Sequence, residues 1–205
     1  MGSGKDGLNG TSHGSGELAA EAAEYPPPQA ILELCASCVR FVGTRYKVAL
    51  DYTPETLPIL DQYVRDARAD VSDRPETLEL IASAVGAYLG EVMRQSYGAF
   101  WFAEGAHEAW RLYFVHVYLA CNPLGMAYEA LTLADAEGWH SHFEVDPADG
   151  DAVAARLGAL PDVEQEAFAL PTTRFEALTV VHDTLRDLMR AQNTADVEFG
   201  PDDYR

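Results

Sequence analysis

Basic residues are scarce in this chain. Its 205 residues include 14 Lys plus Arg against 33 Asp plus Glu, so the formal net charge is −19. A surface this negative repels nucleic acid phosphates and anionic lipid headgroups, and we therefore expect neither nucleic acid nor a membrane as a partner. Such charge most often keeps a protein soluble, although it can also attract a basic protein.

Cysteines and long apolar runs are also few. The three cysteines, Cys35, Cys38 and Cys121, are too few and odd in number for a disulfide framework, which favours a reducing compartment. No apolar run approaches the ~20 residues that a membrane span needs, and the N-terminus lacks the basic-then-apolar pattern of a secretion signal. These features predict a cytoplasmic protein.

Recognisable catalytic motifs are missing from the sequence. It contains no nucleophile elbow, phosphate loop, dinucleotide-binding glycine pattern or helical His-Glu-x-x-His. The catalytic residues are therefore unknown, and whether the protein is an enzyme stays open. We expect no cofactor and assign no metal ligand from sequence.

The chain has enough apolar residues, 48%, to form a hydrophobic core. Gly and Ser dominate its first 16 residues, and three prolines follow at 26–28. This composition predicts a flexible N-terminal arm over 1–27, one folded domain over 28–195 and an acidic C-terminal tail over 196–205 that frays.

The spacing of apolar residues predicts mainly helices, because it repeats every three or four positions. Predicted helices cover 31–46, 57–69, 76–97, 124–133, 147–160 and 172–192. Aromatic and β-branched residues predict strands at 100–102, 110–119 and 139–145. This order predicts an α+β fold in which helices pack on a small antiparallel sheet.

Two glycines four positions apart, Gly86 and Gly90, mark the longest predicted helix. Each costs about 1 kcal/mol relative to Ala inside a helix, so their presence indicates that another part of the backbone packs closely there. Glu91 lies beside the apolar face of the same helix. We expect it to form a structural ion pair with Arg94 or Arg111 rather than to act as a general base.

This helix also carries a resemblance to a known group of proteins. The chain resembles a family of uncharacterised bacterial domains of unknown function over roughly residues 46 to 185. The resemblance implies a compact α+β fold and no particular activity. The segments that carry it are Leu50-Asp51-Tyr52-Thr53-Pro54-Glu55-Thr56-Leu57, the helix motif Gly86-Ala87-Tyr88-Leu89-Gly90-Glu91-Val92 and the aromatic strand that begins at Trp101.

Two groups of residues have a spacing compatible with metal binding. Cys35 and Cys38 lie on one helical face, but they continue its apolar pattern, which favours small core residues over ligands or a redox pair. In a strand, His140 and His142 share a face with Glu144, so a three-ligand metal site is one interpretation. The pattern equally describes a solvent-facing strand, and we favour that interpretation.

Aromatic residues are dense between 100 and 118, more than the interior of a small sheet can hold. We therefore predict a binding surface that involves Trp101, Trp110, Tyr113, Tyr88 and Glu91. The favoured hypothesis is a non-enzymatic protein-interaction or accessory protein. The alternative is a small-molecule or metal-dependent enzyme that uses His140, His142 and Glu91 or the cysteines.

Overall fold

A computed structural model describes residues 25 to 204 and shows the predicted α+β fold. The helices of this part are α1 (Gln29–Tyr46), α2 (Leu57–Asp73), α3 (Leu78–Tyr97), α4 (Pro123–Thr132), α5 (Gly150–Leu157), α6 (Gln165–Phe168) and α7 (Pro171–Ala191). Four strands form one antiparallel sheet in the order β1-β2-β3-β4. They are β1 (Ala99–Phe102), β2 (Arg111–Phe114), β3 (Leu119–Cys121) and β4 (Glu144–Val145).

Helix boundaries follow local capping chemistry. Asn122 caps α4, since its side-chain oxygen accepts hydrogen bonds from the backbone N–H groups of Leu124 and Gly125 at 3.0 and 3.2 Å. Gly98 ends α3 with a φ of 66°, a conformation that glycine adopts at little cost. The predicted helices are therefore found within a few residues of their expected bounds.

Helix α3 lies at the centre of the core and is buried continuously from Ala82 to Arg94. Its glycines make this possible. A Cβ on Gly86 would lie 2.4 Å from the Cα of Leu124, and a Cβ on Gly90 would lie 2.3 Å from the Trp101 ring. The close packing predicted from the two glycines is confirmed, and its partners are the start of α4 and a strand side chain.

The sheet differs from the prediction in two places. The expected strand 110–119 is two strands, β2 and β3, joined by a turn at 115–118. The expected strand 139–145 is reduced to β4, because His140 has a φ of 51° and Ser141 turns inward to become buried. Neither break has a glycine or proline that would mark it in the sequence.

The C-terminal segment packs on the sheet instead of fraying. Phe199 donates a backbone hydrogen bond to the carbonyl of Val115 at 2.7 Å, and the Tyr204 hydroxyl donates to the carbonyl of Phe114 at 2.7 Å. Most of the predicted N-terminal arm lies outside the described residues. Its end is described, and there the Tyr25 ring lies 5.1 Å from that of Phe100. None of the helices in the described part is long and apolar enough to cross a membrane.

Candidate functional site on the outer face of the sheet

The sheet has one face toward the helices and one face away from them. Strand alternation places Trp101, Leu112 and Phe114 against the core. Cross-strand pairing links Phe100 to Tyr113, Tyr113 to Ala120 and Ala120 to Glu144. Because directly paired residues share a face, this row crosses the other face from edge to edge. We call it the outer face.

Aromatic rings form a cleft of about 370 Å³ at the β1 edge of the outer face. Both terminal segments contribute to its walls. Tyr204 packs between Tyr113 and Tyr118, with ring centroids at 4.3 and 4.9 Å. The residues that line this aromatic cleft are Tyr25, Pro26, Phe100, Trp101, Phe102, Tyr113, Pro201 and Tyr204.

The C-terminal segment that walls the aromatic cleft also contains acidic residues. Asp202 and Asp203 are exposed and stand between two of the lining residues, Pro201 and Tyr204. Asp203 also fixes the local turn, since its Oδ2 accepts a hydrogen bond from the backbone N–H of Gly200 at 2.8 Å. The segment that walls the cleft therefore carries two negative charges next to its lining residues in the chain.

The nearby cation Arg111 is already engaged on the outer face. Its Nη1 donates to the carbonyls of Glu108 and Trp110 at 2.8 Å each. Its Nε lies 3.7 Å from Oε1 of Glu144. Arg111 thus offsets the charge of Glu144.

The five predicted binding residues separate into two groups. Trp101 and Tyr113 line the aromatic cleft. Tyr88, Trp110 and Glu91 are buried in the interior instead, at 0%, 5% and 3% exposure. Sequence reasoning missed Phe100, Phe102, Tyr25 and Tyr204 as lining residues. The alternation of Phe100 and Phe102 was the one local signal, because it puts both rings on the same face.

Glu91 forms the predicted structural ion pair. Its carboxylate accepts hydrogen bonds from Arg94 Nε at 2.8 Å, Arg94 Nη2 at 3.0 Å and Trp101 Nε1 at 2.7 Å. The partner is Arg94, so of the two predicted candidates Arg111 is not used. These bonds hold the Trp101 ring against Gly90 on the core side of the sheet.

The cysteines are small core residues, as favoured from sequence. Cys35, Cys38 and Cys121 are free and fully buried. Burial raises the pKa of all three thiols far above the ordinary value, so they stay protonated at neutral pH. A protonated thiol is neither a nucleophile nor a metal ligand.

A second feature lies at the β4 edge of the outer face, where His140, His142 and Glu144 converge. One ligand atom from each of the three lies within 4.8 Å of the others. His140 Nδ1 is 2.7 Å from Glu144 Oε1, and the two imidazole centroids are 6.0 Å apart. The favoured interpretation is confirmed in that His140 and His142 face solvent, but they lie in a loop before β4 and not in a regular strand. Glu91 is not part of this group.

Comparisons with known proteins give no information about the function of this site. The chain matches no family model, no curated protein and no solved structure. The resemblance to uncharacterised bacterial domains therefore stays a prediction.

Proposed function

We propose that this protein is a non-enzymatic binding protein whose aromatic cleft takes a basic segment of a protein partner. The observation that carries the proposal is that exposed Asp202 and Asp203 lie in the chain between Pro201 and Tyr204, two residues that line a cleft walled by aromatic rings. Aromatic faces attract Arg and Lys side chains, and neighbouring carboxylates add charge complementarity. The net charge of −19 attracts a basic partner from a distance.

The size of the cleft supports a side chain with its flanking residues as the bound element. About 370 Å³ is at the small end of ligand pockets. Phe102 adds an exposed apolar surface at the mouth, since 42% of this residue is accessible. An arginine or lysine beside an apolar residue would fill both parts.

The enzyme alternative has less support. Glu91 is saturated with hydrogen bonds from Arg94 and Trp101, and the thiols are held protonated by burial. Together with the acidic surface and the free cysteines, this favours a cytoplasmic binding protein that does not contact nucleic acid. Nucleic acid binding would contradict the proposal.

The test is selection from a phage-displayed random peptide library against the full chain, followed by calorimetry with a selected peptide. We expect enriched peptides to contain Arg or Lys. Replacing that Arg by citrulline, which keeps the shape and removes the charge, should weaken binding by about tenfold or more. Phe102→Ala and Asp202→Asn should each weaken it by a similar factor.

Two matched variants control for nonspecific effects. Phe168→Ala removes another exposed phenylalanine, and Asp162→Asn removes another exposed carboxylate, both outside the cleft. Both should bind the peptide like the unmodified chain. Peptides without basic residues, or equal losses in the cleft variants and in these controls, would refute the proposed function.

A further inference from the structure

We propose that His140, His142 and Glu144 form a binding site for a divalent transition metal ion such as Zn²⁺. The three side chains stand together at the β4 edge, and both histidines are exposed while Glu144 is partly buried. Two imidazoles and one carboxylate are ligands that Zn²⁺ takes in proteins. The site is separate from the aromatic cleft and does not depend on its function.

The observed spacing is close to what a metal ion requires. Bonds of about 2.0–2.1 Å in a tetrahedron put neighbouring ligand atoms roughly 3.3–3.5 Å apart. The ligand atoms here lie within 4.8 Å of one another, and His140 Nδ1 lies 2.7 Å from Glu144 Oε1. Small rotations of these side chains would therefore bring one ligand atom from each residue to the spacing that a bound metal ion requires.

The loop that carries the two histidines is anchored to α4 by a partly buried hydrogen bond. Ser141, between them, is buried, and its hydroxyl donates to Glu129 Oε1 at 2.6 Å. Glu129 is itself paired with Arg174. Because the middle residue is fixed inward, the imidazoles on either side are directed to solvent.

The backbone of His140 is held as well. Its carbonyl accepts a hydrogen bond from the N–H of Asn122 at 3.2 Å, and Asn122 is the buried cap of α4. The preceding Trp139 stacks on Tyr128 at 5.2 Å. His140 keeps a positive φ of 51° under these restraints.

The electrostatics around the site have opposing parts. Arg111, 3.7 Å from Glu144 Oε1, disfavours a cation, whereas the net charge of −19 favours one. Three protein ligands leave at least one coordination position for water. The ligand set disfavours Mg²⁺ and Ca²⁺, which prefer oxygen ligands alone.

The test is isothermal titration of the full chain with ZnCl₂ after treatment with a chelator. We expect one ion per chain, and no heat of binding with MgCl₂ or CaCl₂. His140→Ala or His142→Ala should weaken binding by about 100-fold or more, because each removes a direct ligand. Glu144→Gln should weaken it by about tenfold or more, whereas the control Glu137→Gln, an exposed carboxylate three residues before His140, should not.

A second measurement needs no variant. Nuclear magnetic resonance of the imidazole groups during the Zn²⁺ titration should shift the signals of His140 and His142 and leave that of the enclosed His182 unchanged. Absence of Zn²⁺ binding, or unchanged affinity in the double variant His140→Ala/His142→Ala, would overturn the proposal. So would shifts confined to other histidines.

Discussion

A single histidine, His182 in α7, is largely buried, and its nearest charged neighbour is Asp183, whose Oδ1 lies 3.7 Å from His182 Nδ1. Its side chain is 12% exposed, and neither ring nitrogen has a hydrogen-bond partner within the described residues. Its ring packs 4.6 Å from that of Tyr97. Burial lowers the pKa of His182 from 6.5 to about 4, a shift that Asp183 opposes and that Arg186 and His116 reinforce. The folded protein therefore keeps this imidazole neutral.

We predict that His182 makes the protein sensitive to mild acid. Below pH 6.5 the unfolded chain binds a proton that the folded chain rejects until about pH 4, so the free energy of unfolding falls as the pH falls through this window. At pH 5 the loss amounts to about 2 kcal/mol. The measurement is urea unfolding at pH 7 and pH 5 for the unmodified chain and for His182→Leu.

For each chain, the free energy of unfolding at pH 5 is compared with that of the same chain at pH 7. The effect of the substitution on packing is the same at both pH values and therefore cancels. The variant should lose about 2 kcal/mol less than the unmodified chain between the two pH values. Equal losses would mean that His182 becomes protonated in the folded state without penalty.

The close packing of α3 depends on Gly86 and Gly90, because neither has a Cβ atom. At Gly86 an added Cβ would meet backbone atoms of Pro123 and Leu124 at 2.4–2.7 Å, which cannot move without shifting the start of α4. Ala is better than Gly inside a helix by about 1 kcal/mol, but overpacking a core costs about 1–3 kcal/mol and occasionally more. We therefore predict that Gly86→Ala destabilises the protein on balance.

The measurement is chemical unfolding with Gly150→Ala as the control. Gly150 begins α5, and an added Cβ there has open space around it. The control should be neutral or slightly stabilising, whereas Gly86→Ala should lower the free energy of unfolding by about 1–2 kcal/mol. A stabilised Gly86→Ala would show that α4 can move away at little cost.

Helix ends that nearby residues determine could be predicted from the sequence. Strand breaks that depend on contacts with residues far away in the chain could not. The cap at Asn122 and the stop at Gly98 act within a few residues, and the two helices that they bound lie close to the predicted ranges 124–133 and 76–97. The turn at 115–118 contains apolar residues and is held by Tyr204, whose hydroxyl also accepts a hydrogen bond from the N–H of Leu119 at 3.2 Å. A pattern search over neighbouring residues cannot detect such a contact.

At the scale of the whole molecule, the candidate sites also arise from distant segments. The aromatic cleft combines residues near 25, 100, 113 and 204. The sequence indicated an aromatic binding surface, yet it could not tell that Trp110 packs inward while the terminal segments wall the cleft. His140 and His142 were recognised as a pair, but their convergence with Glu144 comes from a loop fixed by Asn122 and not from strand alternation.

The net charge of the whole chain leads to a last prediction, that NaCl stabilises it. Mutual repulsion among 19 excess negative charges opposes folding, and salt weakens it as the screening length falls from about 30 Å at 0.01 M to about 8 Å at 0.15 M. Screening also weakens attractive pairs, but exposed pairs such as Arg190–Asp187 contribute only about 0–1 kcal/mol each. The pair Glu91–Arg94 is buried and is screened much less.

The loss of repulsion should therefore outweigh the loss of attraction, so that salt stabilises the protein. The thermal midpoint of unfolding should rise between 0.01 and 0.15 M salt, over which the screening length falls from about 30 to about 8 Å. Differential scanning calorimetry in NaCl and in KCl measures it, because screening depends on ionic strength alone and must give the same rise in both. A fall in the midpoint would mean that the ion pairs outweigh the net charge, whereas a rise in only one salt would indicate specific ion binding.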